Sequence, residues 1–166
     1  MTFPPFKVEF LQSHHDRSQF SCGVLPLDNY FREQVTQDVR RKVTNCFVLI
    51  ENATNQVAGY YTLAASSIPL TMLPESITKR LPRYPSIPSV RIGRLAVDQA
   101  FRGKKLGSAL LADAALRVAQ SGVAAYALVV DAKDETAVMF YKHHGFICFN
   151  EEPMTLFVPL ASILSK

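Results

Sequence analysis

One helix constrains this chain more than any other feature. From Lys105 to Gln120 (KLGSALLADAALRVAQ) apolar residues cover almost the whole surface. At 100° per residue the polar Asp113, Arg117 and Gln120 fall within an arc of about 60°. A helix with one narrow wet stripe is mostly buried and lies on a sheet. Its flanks supply that sheet. Val90–Val97 precedes it, and Tyr126–Asp131 (YALVVD) follows as a near-continuous apolar run, the pattern of a central strand. Ser121-Gly122 closes the helix between them.

The rest of the chain fits around this unit. Phe6–Leu11 reads as a first strand. Leu27, Tyr30, Phe31, Val35 and Val39 share one face and predict a helix from Pro26 to Lys42, with Asp28 as its N-cap. Asn45–Glu51 and Val57–Leu63 read as strands around a turn at residues 52–55. Residues 65–89 carry five prolines and admit at most one short helix, near Pro74 to Leu81. Asp134 caps a helix running to His144, and Phe146–Phe149 and Met154–Val158 are two closing strands. The order is α/β with a mixed sheet in a single domain, 1–166. A doubly wound nucleotide fold would place helices after the early strands as well.

The strand Val90–Val97 changes parity. Val90 and Ile92 are apolar at even positions, whereas Leu95 and Val97 are apolar at odd ones. One extra residue at Gly93 accounts for the switch, which is the signature of a β-bulge that bends a strand and frees backbone groups.

Composition narrows the function classes. At 166 residues the chain can bury ~70% of its unfolded surface and needs no staples. No apolar run approaches the ~18 residues of a membrane span, and the N-terminus lacks the layout of a signal peptide. Cys22, Cys46 and Cys148 are scattered and odd in number, as expected of reduced core thiols in a cytosol. His14, His15, His143 and His144 form no metal-ligand spacing. Net charge is +4, but its distribution says more. Between Glu75 and Asp113 the only acid is Asp98, while Lys79, Arg80, Arg83, Arg91, Arg94, Arg102, Lys104 and Lys105 all fall there. Such a cluster suits an anionic partner, although a solvated surface is the commoner meaning of a charge run.

Two segments carry chemistry. Phe101–Ser108 (FRGKKLGS) has two glycines and feeds a helix N-terminus, where free N–H groups and the helix dipole favour an anion. Arg102, Lys104 and Lys105 oppose that dipole, and a bound phosphate would reconcile them. It is not a Walker loop, which requires GxxxxGK[ST]; on glycines alone, a phosphate cradle and an exposed basic turn are equally good readings. The second segment, Asp134–Phe146, carries the pair Phe140-Tyr141 ahead of Gly145-Phe146. Alone, such a pair is ordinary core.

Together and in this order the two segments resemble the GNAT superfamily of acetyl-CoA-dependent N-acetyltransferases. That family has [QR]-x-x-G-x-[GA] opening a helix, then a strand, then a helix with an FY pair before a GF. Arg102 to Gly107 occupy the loop, with Lys105 in place of the middle glycine, and Asp134 stands where Asn is usual. FSCGVLPLDNYF (Phe20–Phe31), AGYYTLAASSI (Ala58–Ile68) and VRIGRLAVD (Val90–Asp98) are similar to the GNAT toxins of type II toxin–antitoxin modules.

The resemblance implies a GNAT fold: a mixed central sheet, flanking helices and a bulged fourth strand. It implies acetyl-CoA as co-substrate, bound by Leu95, Ala96, Val97, Arg102, Gly103, Lys104, Lys105, Leu106, Gly107 and Ser108, with Asp131 and Asp134. Tyr141 matches the family's catalytic tyrosine. The implied reaction acetylates the α-amino group of aminoacyl-tRNA and blocks translation in the cytoplasm. The implied partners are charged tRNA and a cognate ribbon-helix-helix antitoxin, and members are often homodimers. The alternative is acetylation of a small amine or a protein N-terminus. For tRNA the candidate contacts are Lys79, Arg80, Arg83, Arg91, Arg94 and Lys142, with Arg40-Arg41-Lys42 as a second patch. Tyr84 suits either stacking on an unpaired base or packing.

Overall fold

The computed structural model describes residues 5–165. Seven strands form one mixed sheet in the order β1-β2-β3-β4-β5-β7-β6. They are β1 (Phe6–Phe10), β2 (Asn45–Glu51), β3 (Val57–Pro69), β4 (Ser86–Val97), β5 (Ala127–Asp131), β6 (Ile147–Phe149) and β7 (Glu152–Pro159). Of the registered pairs, β1–β2, β2–β3, β5–β7 and β6–β7 are antiparallel and β4–β5 is parallel. A parallel pair needs a long crossover, and α4 (Leu106–Gln120) is the helix in that connection.

By contacts the chain groups into two compact units, Met1–Ala64 with Gly93–Ala114, and Ala65–Ile92 with Ala115–Lys166. In the first unit the helix expected from Pro26 to Lys42 is present but not uniform. It runs as α1 (Leu25–Asn29), a π turn (Tyr30–Gln34) and α2 (Val35–Arg40). Leu27, Phe31, Val35 and Val39 are spaced by four, which drifts off one face of a 3.6-residue helix. One wider turn absorbs the drift and leaves Tyr30, Phe31 and Val35 all buried. There Phe31 stacks on Tyr60, ring centroids 4.1 Å apart, and Phe20 meets both edge-on. Asp28 is not the N-cap; Val24 is. The buried Asp28 carboxylate instead accepts the Cys22 N–H at 2.8 Å, because the helix already begins at Leu25.

In the second unit Ile68, Ile87, Val129, Phe149 and Phe157 form a core cluster, with the Phe149 and Phe157 rings stacked at 4.9 Å. Both long strands exceed their expected limits, β3 reaching Pro69 and β4 starting at Ser86. The irregular stretch therefore shrinks to residues 70–85, with a 3-10 turn at Leu70–Met72 and α3 at Glu75–Thr78. Asp134 caps α5 (Glu135–His143) as expected, accepting the Ala137 N–H at 2.8 Å. The closing α6 (Leu160–Leu164) was not anticipated; Pro159 ends β7 and starts it. All three cysteines are free, and burial pushes the Cys46 thiol up to about 12.

Candidate active site

In the first unit the loop before α4 is held by a segment that sequence reasoning left without a function. The Asp98 carboxylate accepts the N–H groups of Ala100 (2.8 Å) and Ser21 (3.0 Å). Gln99 N–H donates to Ser21 O at 2.9 Å, and Arg102 Nη2 donates to Cys22 O at 2.8 Å. Gly23 lies at φ +90°, and a Cβ there would sit 2.3 Å from the Gln99 side chain and 3.1 Å from Arg102. Residues 21–23 thus splint the loop, and Gly23 is the residue type that both the conformation and the space demand. The sequence signal was Cys-Gly ahead of a helix, visible but mute about its partner.

The loop then turns left-handed twice. Gly103 has φ +83° with nothing within 4 Å of a Cβ position, and Lys105 has φ +58°. Lys105 therefore adopts the conformation that the glycine it replaces would favour. Its carbonyl accepts the Ala109 N–H at 3.2 Å and so begins α4. In an α-helix the first N–H groups have no intrahelical partner, which here include those of Leu106 and Gly107. Lys104 Nζ lies over the rings of Phe6 (5.9 Å) and Phe101 (5.6 Å). The loop offers backbone donors and keeps two of its cations against Cys22 and the aromatic pair.

The end of β4 departs from a regular ladder near the expected place. Its register with β5 runs from Ser89 to Ile92, and Arg94 N–H donates to Thr62 Oγ1 at 3.1 Å. Buried positions change from odd (Ile87, Ser89) to even (Ile92, Ala96). The register with β5 is unbroken from Ser89 to Ile92, and beyond it small Ala96, not Leu95 or Val97, is the buried residue. The cause is close approach to β3. A Cβ on Gly59 would lie 2.8 Å from Ala96 O, and Asp98 N–H donates to Ala58 O at 2.8 Å. Main-chain groups of Ala96 and Asp98 face β3, so alternation along the strand turns the N–H groups of Leu95 and Val97 the other way. Of the three expected donors, these two suit a ligand.

In the second unit Tyr141 is buried on α5, 5% exposed, against Phe140 (5.2 Å) and Phe146 (5.4 Å). Burial pushes its phenol well above the ordinary value, and nearby Asp131 pushes it further. Tyr141 therefore holds its proton through the neutral range. Asp131 is exposed at the end of β5 and pairs with Arg91 at 2.5 Å.

Residues 42–148 match the acetyltransferase (GNAT) domain family. The chain belongs to the GNAT acetyltransferase family. It is 31% identical over 162 residues to a probable toxin TacT of Sinorhizobium fredii, covering 92% of this chain and 90% of that one. It is 32% identical over 143 residues to a tRNA-acetylating toxin of Mycobacterium tuberculosis, covering 85% and 84%. Among solved structures it is similar to AtaT complexed with acetyl-methionyl-tRNAfMet (TM-score 0.87, 35% identity, 96% and 98% covered). A mutant AtaT bound to the C-terminus of the antitoxin AtaR and acetyl-CoA is also similar (TM-score 0.80, 31% identity, 96% of each chain).

The basic residues of this GNAT chain divide by environment. Arg94 is half-buried with its guanidinium 3.4 Å above the Tyr30 ring, a cation–π contact. Arg91 is paired with Asp131. Lys79, Arg80, Arg83 and Lys142 are exposed, as are Arg40, Arg41 and Lys42. Glu9, His14 and His15 bring possible ligand atoms within 4.8 Å of one another. Both ring nitrogens of His15 are engaged, Nε2 with Glu9 at 2.7 Å and Nδ1 with the Gln12 N–H at 2.9 Å, so the group reads as a hydrogen-bonded turn. Among the described residues no helix is long and apolar enough to cross a membrane.

Proposed function

We propose that this GNAT enzyme moves the acetyl group of acetyl-CoA onto the α-amino group of an aminoacyl-tRNA, silencing translation as the toxin of a toxin–antitoxin pair. The observation that carries the reading is the likeness, along nearly the whole chain, to AtaT held with acetyl-methionyl-tRNAfMet.

The chemistry agrees. The amine lone pair attacks the thioester carbonyl carbon, and the C–S bond then breaks to release the CoA thiolate. The Leu95 and Val97 N–H groups are the donors for the developing oxyanion. The loop from Arg102 to Ser108 takes the cofactor's phosphates. Tyr141 donates a hydrogen bond to the departing sulfur. An unperturbed phenol near ~10 facing a thiol near ~8.5 already makes full proton transfer uphill by about 2 kcal/mol. Burial raises the Tyr141 phenol further, so its part is that of a hydrogen-bond donor, and the proton that the amine nitrogen sheds on becoming an amide reaches the thiolate through water.

The acceptor amine needs little help. A lysine amine, pKa about 10.4, would require a base, whereas an α-amine begins at about 7.7–8.0 and an adjacent ester lowers it. From Ser76 to Val97 the chain has no acid to act as that base. We further propose that residues 1–166 work as one catalytic domain in the cytoplasm, where charged tRNA is found. An antitoxin with a ribbon-helix-helix domain would restrain it, and the working assembly would be a homodimer.

The test supplies labelled acetyl-CoA with charged tRNA, deacylated tRNA, spermidine and an N-terminal peptide as acceptors. Label should enter only charged tRNA. Label in spermidine or the peptide, with charged tRNA blank, would reject the proposal.

A further inference from the structure

The irregular segment between β3 and β4 lines an open pocket of about 400 Å³, within the usual range for small-ligand sites of roughly 300–1,000 Å³. Tyr84, Lys79, Arg83, Thr78 and Glu75 line it. Tyr84 is 63% exposed, which removes the packing reading of this aromatic. Among the described residues its side chain has no ring, cation or hydrogen-bond partner. Neither Lys79 nor Arg83 has an ion-pair partner among them, although Glu75 shares the pocket. The cations stand apart from the one acid and are free to meet another anion.

These groups match the parts of a nucleotide. A bare tyrosine ring presents a π face to a base, and such stacking is how proteins hold unpaired bases. Lys79 and Arg83 supply the charge that a backbone phosphate requires. Glu75 would repel a free phosphate or a polyphosphate. It accepts hydrogen bonds from an exocyclic amine or a ribose hydroxyl, donors that a nucleoside carries and a free phosphate or polyphosphate lacks. Thr78 Oγ1 donates to Glu75 O at 3.3 Å and keeps its acceptor lone pairs.

We infer that this pocket binds one unpaired nucleotide of the single-stranded 3′ tail of the tRNA, with its base on Tyr84 and its phosphate at Lys79 and Arg83. The inference rests on the tRNA reading above and adds a recognition site to it. Inside the double-stranded stem every base is paired and stacked on both faces, so the site favours an unpaired base of the tail over the helix.

The experiment uses two RNA hairpins, an acceptor-stem mimic with a single-stranded ACCA tail and the same stem trimmed flush. Affinity is read by fluorescence anisotropy for the wild type, Tyr84→Ala and Tyr84→Phe. Tyr84→Ala should weaken the tailed hairpin about tenfold, the size expected for one lost stacked base, and leave the flush hairpin alone. Tyr84→Phe, which keeps the ring, should bind as the wild type does. In parallel, Tyr84→Ala should raise KM for charged tRNA by a similar factor while the dissociation constant for acetyl-CoA holds. Equal binding of the tailed hairpin by wild type and Tyr84→Ala would overturn the inference, as would equal loss on both hairpins. So would weakened antitoxin binding with RNA binding intact, which would make this a protein-docking site. The broader reading fails separately, if the wild type transfers no acetyl to charged tRNA at all.

Discussion

The loop from Asp98 to Ser108 and the segment from Leu70 to Pro85 are both irregular and basic, yet they are built in opposite ways. The loop is tied down by the Asp98 carboxylate and the Arg102 bond to Cys22, and what it offers is backbone N–H. The segment has two short helical turns, α3 among them, and what it offers is side chains: an exposed ring and free cations. The difference matches the use proposed for each. A cofactor is the same molecule every time, so fixed backbone donors suit it. A tRNA is held by charge and stacking, which tolerate mobile side chains.

That division can be broken by kinetics. The largest effect should come from Tyr141→Phe, which removes the donor to the leaving sulfur. Turnover should fall about 10²- to 10⁴-fold, with acetyl-CoA affinity and both KM values near wild type, as checked by calorimetry and steady-state rates. Because burial raises the Tyr141 phenol, its ionisation should not produce an alkaline limb in kcat below about pH 10, the ordinary phenol value. A limb there that vanishes in Tyr141→Phe would contradict the raised value.

Gly23→Ala probes the backbone side. It forces a non-glycine residue to φ +90° against Gln99 and Arg102, a strain of about 1–3 kcal/mol. KM for acetyl-CoA should rise while KM for charged tRNA holds, and Tm should drop by about 2–4 °C per kcal/mol. An equal rise in both KM values would erase the distinction between the two regions.

Lys79→Gln with Arg83→Gln probes the side-chain side. If each cation meets one phosphate, the slope of log affinity against log salt should become shallower by about 1.4 for single-stranded RNA. Acetyl-CoA binding should not change. Lys105→Gly should have the smallest effect. It relieves a left-handed residue at the cost of unfolded-state entropy, for a net gain of up to about 1 kcal/mol, read by chemical denaturation. If acetyl-CoA binding survives this change, the loop works through its backbone. If binding collapses, the Lys105 side chain is a ligand.

The same contrast explains what the sequence disclosed. Strands such as Asn45–Glu51 and the helix after Lys105 are written in apolar periodicity, and α4 begins one residue from the expected start. The Asp134 cap was legible because capping is local. The π turn was not, since a four-residue spacing fits an ordinary helix almost as well. Nor was the buried position beyond Gly93 in β4. Ala96 is buried because Gly59 lets β3 come close, a contact between residues far apart in sequence. The splint at Ser21–Gly23 and the pocket beside Tyr84 also depend on which distant or irregular segments meet. Glycines in the loop left a phosphate cradle and a basic turn equally good, and Lys79, Arg83 and Tyr84 were candidates one by one, but nothing in the sequence said that these three line one pocket.

The acceptor group distinguishes a tRNA-acetylating enzyme from one that acts on free amines. Charged tRNA is incubated with the enzyme and acetyl-CoA, the aminoacyl ester is then hydrolysed with mild base, and the released amino acid is weighed by mass spectrometry. The wild type should release an N-acetylated amino acid, nearly absent with Tyr141→Phe. Unmodified amino acid from the wild-type reaction, with acetyl found instead on spermidine or peptide added as competitor, would contradict a charged-tRNA acceptor.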